Sequence, residues 1–311
     1  MGLTFFRKKD VVPIFVPQKL SGLLLPLITP MNSDFTVDSL ALKAFTARLM
    51  NKGVKNFFVL NSFSESEFLS NEERKKIVQV VHNEVGSKGV LIVGCFGTST
   101  DEIVSKINEA KEFSNLCVVN VPLAALEREL EFVDFFDSLF TQTSANIILY
   151  NNPIVYKKSI PSLWLDNIIN WERLVGVIDS SKNTDYLDEL GKYYQFTKLF
   201  EENDELSFDA LKRNFSGLCP LSANAFASYY LDLVNNYSDL DFHTLVRNEA
   251  KISALNKLLP SQKKLQAFKY ALSLSGIIQS FSYPTLEELT EKEKRLVEDA
   301  FGLKKRISIQ K

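Results

Sequence analysis

The chain has 311 residues, 45% of them hydrophobic and 24% charged, with 36 Lys and Arg against 38 Asp and Glu and a net charge of -2. That composition can bury a large core, and its near-balanced charge, with no basic run longer than a few residues (Arg7-Lys8-Lys9 and Lys304-Lys305-Arg306 lie close to the termini), argues against a nucleic-acid or anionic-membrane partner. No stretch approaches the ~20 apolar residues of a bilayer span.

Residues 1–20 read as an N-terminal extension; Pro13, Pro17 and the lack of a long apolar core argue against a signal peptide there. From residue 21 onward, short apolar runs alternate with segments of helical period, the signature of βα units around a parallel sheet. Strands are predicted at Gly22–Leu27, Asn56–Leu60, Val90–Gly94, Cys117–Val121, Ile147–Tyr150, Leu174–Ile178, Thr197–Phe200 and Gly217–Leu221. Eight such units predict an α/β fold, a closed (β/α)8 TIM barrel over 21–224, followed by a final barrel helix and a C-terminal helical region over 225–311. The helix after the second strand opens with Ser70-Asn-Glu-Glu73, a capping box, and the third begins near Thr100-Asp-Glu. After Ala223 the strand signal stops, and helices are predicted at Ser228–Asn235, Phe242–Leu258, Gln262–Ser275 and Leu286–Phe301. An open doubly wound sheet is the competing architecture, disfavoured because no GxGxxG or GxxxxGK[ST] loop follows the first strand.

Three cysteines, Cys95, Cys117 and Cys219, lack CxxC spacing and read as reduced, buried thiols of a cytoplasmic protein. His82 and His243 lie in polar, helix-like contexts, which suits neither a Ser-His-Asp triad nor a histidine-rich metal site. No cofactor or metal is expected.

In a barrel of this kind chemistry sits where strands end and βα loops begin. The first unit ends Thr29-Pro30, with Asp34 and Asp38 beyond it. The second ends Asn61-Ser62-Phe63-Ser64-Glu65-Ser66 and is followed by Leu69-Ser70. The fourth leads into Asn120-Val-Pro122-Leu123-Ala124-Ala125, and the fifth reads Tyr150-Asn151-Asn152-Pro153. The sixth is Val175-Gly176-Val177-Ile178-Asp179-Ser180-Ser181, with Lys182 next. The seventh ends Phe200-Glu201-Glu202-Asn203-Asp204, where neighbouring side chains alternate, so at most one of Glu201 and Glu202 faces the barrel centre. The eighth reads Gly217-Leu-Cys-Pro-Leu-Ser222-Ala223-Asn224.

In this order, from about Gly22 to Leu303, the motifs resemble the dihydrodipicolinate synthase/N-acetylneuraminate lyase family of aldolases. The resemblance implies a small 2-keto acid or sugar-acid ligand and a homo-oligomer, dimer or tetramer, or an assembly with an active paralogue. It also implies a Schiff-base lysine at the position of Ile178, a relay and carboxylate-binding loop of Gly-Thr-Thr-Gly at Asn61–Ser64, and Pro-Tyr-Tyr around Pro122. Ile178 has no nucleophile. Ser62 keeps the first hydroxyl, Phe63 removes the second, both glycines are lost, and leucine and alanine replace the relay tyrosine. Tyr150 is the best-preserved site residue. In the family it shuttles protons; by itself, a tyrosine at a strand end packs and hydrogen-bonds.

The residues expected at the site are therefore Thr29, Ser62, Phe63, Ser64, Tyr150, Ile178, Glu202 and Ser222 around a ligand, with Tyr150, Ser62 and Lys182 as the catalytic candidates. Three readings follow. One is a pseudoenzyme that binds a ligand or an oligomer partner. The second is a lyase with an altered mechanism, using Lys182, although a lysine at a barrel rim is ordinarily solvated. The third is a different barrel enzyme that uses Glu201 or Glu202 with a metal.

Overall fold

A computed structural model describes residues 20–237, 250, 252–253 and 261–302. Eight parallel strands close in sequence order: β1 (Gly22–Pro26), β2 (Asn56–Val59), β3 (Val90–Gly94), β4 (Leu116–Val119), β5 (Asn146–Asn151), β6 (Leu174–Asp179), β7 (Lys198–Glu201) and β8 (Gly217–Leu218). Strands that are covered on both faces must be apolar nearly throughout; β6 (LVGVID) is buried at all six positions. The predicted strands are all present with small shifts of their ends. The eighth is cut to two residues because Pro220 cannot donate to a ladder.

Closure depends on Gly217. It pairs with Gly22 across the β1–β8 seam, and a Cβ there would lie 1.9 Å from the Gly22 carbonyl oxygen. No side chain fits that backbone contact.

The helices α1 (Ser39–Asn51), α2 (Asn71–Val85), α3 (Thr100–Ala110), α4 (Glu129–Gln142), α5 (Pro153–Tyr156), α6 (Thr184–Gly191), α7 (Ser207–Lys212) and α8 (Ala223–Asn236) follow the strands, and α9 (Lys264–Leu274) and α10 (Glu291–Phe301) extend beyond them. The side chain of Ser70 caps α2, accepting from the Glu73 N–H at 3.2 Å. The Glu73 carboxylate does not close the expected box; it takes the Val37 N–H instead, at 2.6 Å, tying α2 to the first βα loop. The cap of α3 is Ser99, one residue before the predicted start. The reciprocal box is at Thr290 and Glu293, opening α10. The helix α8 begins at Ala223, five residues ahead of its expected start, because Asn224 is locked to the barrel: its amide donates to Pro26 O and accepts from Ile28 N–H. The last helix starts at Glu291, not Leu286. The helix predicted at Phe242–Leu258 lies almost wholly outside the described residues.

Two buried apolar clusters result. The larger one lies between strands and helices and includes Phe132, Phe135, Phe136 and Leu139 of α4. The smaller one fills the barrel, with Leu24, Phe58, Ile92, Val118, Ile148, Tyr150, Ile178 and Phe200 among its members. Cys95, Cys117 and Cys219 are buried and unpaired.

Candidate active site

Tyr150, Ile178 and Phe200 sit side by side in register on β5, β6 and β7. All three belong to the inner cluster and are essentially inaccessible to solvent. Ile178 thus plugs the barrel with a β-branched hydrocarbon near the C-terminal end of its sixth strand. Ring contacts extend the layer: Phe96 lies 5.4 Å from Tyr150, and Tyr156 lies 6.3 Å from it.

Polar groups converge immediately above this plug. The Tyr150 phenol donates to Glu202, 2.8 Å from Oε2 and 3.0 Å from Oε1. It accepts from the Asn152 amide at 2.7 Å. The Ser62 hydroxyl stands 3.0 Å from the phenol oxygen and 3.4 Å from Glu202 Oε1. Asn152 is itself held by accepting from the Val155 N–H at 3.1 Å, as the cap of α5. Burial, then the neighbouring Glu202 charge, drives the phenol pKa well above its ordinary value, so Tyr150 keeps its proton. Glu202 is pushed up to about 7, chiefly by burial, against the lowering effect of hydrogen bonds from Ser180, Tyr150 and Ser62.

The alternation expected along β7 is observed. Glu202 meets Tyr150 and Ser62, while Glu201 accepts from the Asn203 N–H and side-chain amide, both at 2.7 Å. Glu201 also pairs in register with Asp179. Burial raises both of these carboxyls, Asp179 to about 6, and the Asp179 charge adds to the rise at Glu201. Asp179 is tied down by the Asn151 amide at 2.7 Å and the Ser181 hydroxyl at 2.7 Å. The Asn and Asp of the fifth- and sixth-strand motifs therefore brace each other; it is Asn152 that reaches the phenol.

A cavity of about 330 Å³ opens above this network, and Ser62, Phe63, Asn152, Ser180, Lys182 and Glu202 are in its walls. Of the residues expected around a ligand, Thr29, Ser64, Tyr150, Ile178 and Ser222 are not among those that line it. Ser64 is turned into its own loop, donating to Asn61 O at 2.6 Å. Ser222 bonds Asp204 and, at 2.7 Å, the Tyr230 hydroxyl. Thr29 is buried at the end of the first unit. Lys182 is exposed on the cavity wall, held in the left-handed region at φ 58° by the turn that follows β6.

The loop after β2 handles the loss of its two glycines in an unforeseen way. Asn61 and Ser64 have negative φ; the left-handed residues are Leu60 (φ 51°) and Glu65 (φ 56°), just outside them. Such a backbone is uncommon for a side-chain-bearing residue and persists only when surroundings hold it. Glu65 is held. Its buried carboxylate pairs with the buried ammonium of Lys269 on α9 and accepts the Tyr283 N–H at 2.6 Å. Phe68 stacks on Tyr283 at 4.5 Å between centroids. The C-terminal region is thereby latched onto the second βα loop.

That latch brings in residues the sequence reading missed. Lys264, Leu265 and Gln266 of α9 and Leu286 line the cavity. Gln266 is buried (6% exposed), and neither its amide nitrogen nor its oxygen has a hydrogen-bond partner. Among the described residues there is no group of three His, Cys, Asp or Glu side chains arranged to hold a metal, and no helix is long and apolar enough to cross a membrane.

Residues 19–302 match the Dihydrodipicolinate synthetase family. The 4-hydroxy-tetrahydrodipicolinate synthase of Bartonella bacilliformis is 24% identical over 289 residues, covering 90% of this chain and 97% of that one. Two solved structures superimpose closely. One is a dihydrodipicolinate synthase from Bacteroides thetaiotaomicron (TM-score 0.83, 22% identity, 94% of this chain and 99% of that one). The other is described as the first monomeric dihydrodipicolinate synthase variant (TM-score 0.84, 20% identity, 91% and 96%). At these identities the structures establish the barrel, and function lies in the site.

Proposed function

The chain belongs to the dihydrodipicolinate synthetase family, and on that premise we propose that it is a ligand-binding barrel without the family's Schiff-base chemistry, a pseudoenzyme. One observation carries this reading. Ile178, at the position where the resemblance puts the condensing lysine, is wholly buried in the apolar interior beside Tyr150 and Phe200. A Schiff base needs an uncharged amine at the reacting carbon, and an isoleucine offers none. Lys182 is a poor substitute, because it lies exposed in the loop after β6 and not in the barrel interior. The phenol that would relay protons keeps its own, bound to Glu202.

The cavity above the plug remains the place for a small ligand. The chain acts as a homo-oligomer or in assembly with an active paralogue; exposed Leu123 and Leu130 near the fourth strand's end supply apolar surface for such a contact. Its three buried thiols suit the cytoplasm.

The test is intact-mass spectrometry after incubation with pyruvate and borohydride, beside a lysine-containing relative. No adduct is expected on this chain while the relative is trapped. An adduct that disappears in Lys182→Ala overturns the reading and makes Lys182 a displaced nucleophile.

A second reading is favoured by Glu202, whose pKa of about 7 suits a general acid or base. It calls for proton-transfer chemistry at the same cavity, abolished by Glu202→Gln.

A further inference from the structure

The charge at the floor of the cavity is the reverse of what a 2-keto acid requires. Glu202 is buried there, 4% exposed, and its side-chain partners are Ser180 and the hydroxyls of Tyr150 and Ser62. Among the described residues it forms no ion pair with lysine or arginine. A buried carboxyl is ordinarily either matched by a cation or kept protonated, and here the protein supplies no cation for Glu202 once it ionises. A ligand carboxylate entering the same space would meet Glu202 at close range, and like charges there repel.

Gln266 gives an independent indication. Its carboxamide is buried in the wall of the same cavity with both polar atoms unpartnered. Buried amides are rarely left so, because the desolvation cost is not recovered until a partner arrives. Gln266 has an acceptor oxygen and a two-proton donor, so the missing partner both donates and accepts.

The remaining walls agree. Glu67, Asp204 and Glu205 add negative charge, while Lys264 and Lys182 are the cations. Lys264 is half-buried; burial and then the neighbouring Lys182 charge lower its pKa, and Asp204 and Glu205 oppose that shift. Glu65 is already matched by Lys269.

The geometry points to a ligand bearing a primary ammonium group, its nitrogen on the Glu202 carboxylate and the Gln266 oxygen, with a neighbouring acceptor taking the Gln266 amide. The inference rests on the reading that no imine forms in this cavity. It inverts the polarity of the family's site: the protein supplies the carboxylate and the ligand supplies the amine. The cavity volume of about 330 Å³ admits a ligand of metabolite size.

The experiment compares three chains of one length that differ in the charge at one end: aminopentanol, pentanediol and hydroxypentanoate. Affinities of the full-length protein are measured by titration calorimetry at mildly alkaline pH, without borohydride. The amine is expected to bind at least about ten-fold more tightly than the diol, and the acid more weakly than either. Glu202→Gln should erase the preference of amine over diol, and Gln266→Ala should weaken amine and diol together by about five-fold. A wild-type protein that binds none of the three, or holds diol or acid as tightly as amine, overturns the inference. So does a folded Glu202→Gln variant that keeps the preference; should that variant not fold, the wild-type series and Gln266→Ala decide. Failure here leaves the absence of a pyruvate adduct untouched, whereas a trapped adduct defeats the non-covalent reading whatever the amines do.

Discussion

The Tyr150 phenol donates its hydrogen bond to Glu202, 2.8 Å from Oε2, on the floor of the barrel's open end. A tyrosine on β5 and a carboxylate just past β7 thus complete one another directly above Ile178, which lies between them in register order. Several consequences can be measured.

Glu202 makes stability depend on pH. Its pKa rises from 4.5 to about 7 in the folded chain, because burial penalises the charged form. The folded state therefore holds a proton the unfolded state has released, and stability falls as pH rises between these values. A shift of this size corresponds to about 3 kcal/mol. Asp179, raised to about 6, acts in the same direction. Urea titrations across this range should show the wild type losing stability with rising pH and Glu202→Gln losing distinctly less. Equal slopes would remove Glu202 as the source.

Ile178→Lys should not revive imine formation. The new ammonium would enter an apolar layer between Tyr150 and Phe200, at a cost of several kcal/mol relieved only by Glu202. The expected outcome is a clearly lowered melting temperature and still no borohydride-trapped pyruvate, since the Tyr150 phenol keeps its proton in its hydrogen bond to Glu202. A trapped adduct on this variant would mean that Ile178 alone silences the site.

The Glu65–Lys269 pair is buried at both ends, with side chains 2% and 0% exposed. Lys269→Met leaves the Glu65 carboxylate without its cation, and removing one partner of such a pair costs about 3–5 kcal/mol. Pairing the change with Glu65→Gln should recover much of that loss. Full additivity of the two single losses in equilibrium unfolding would contradict a direct pairing.

Gly217→Ala strikes the barrel seam. Its Cβ would fall 1.9 Å from a backbone oxygen of Gly22, which no side-chain movement can relieve. Overpacking of this sort costs about 1–3 kcal/mol or more, so expression in the insoluble fraction or a large fall in the unfolding midpoint is expected. A variant with wild-type stability would show that the seam can open without penalty.

Much of this was legible from residue order alone. Eight apolar runs with helical spacers predicted the barrel, and strand alternation allowed only one of Glu201 and Glu202 inside. The site was less legible. Ser64 and Ser222 looked like ligand groups because hydroxyls at strand ends commonly are; both satisfy local partners instead. Left-handed backbone in the second βα loop falls at Leu60 and Glu65, residue types that give no signal for it in the sequence. Gln266 carried no signal at all, since a glutamine in a helix is ordinarily a solvated residue.

The sequence by itself determined the fold and the hydrocarbon at position 178: periodic burial dictates strands and helices, and an isoleucine carries no nucleophile. The tertiary structure alone decided which groups gather around that residue. Glu202 meets Tyr150, 52 residues away in the chain, and the Lys269 latch reaches 204 residues back to Glu65. Such pairings depend on which side chains barrel closure and helix docking bring within hydrogen-bond range, and no local pattern of residues encodes that distance.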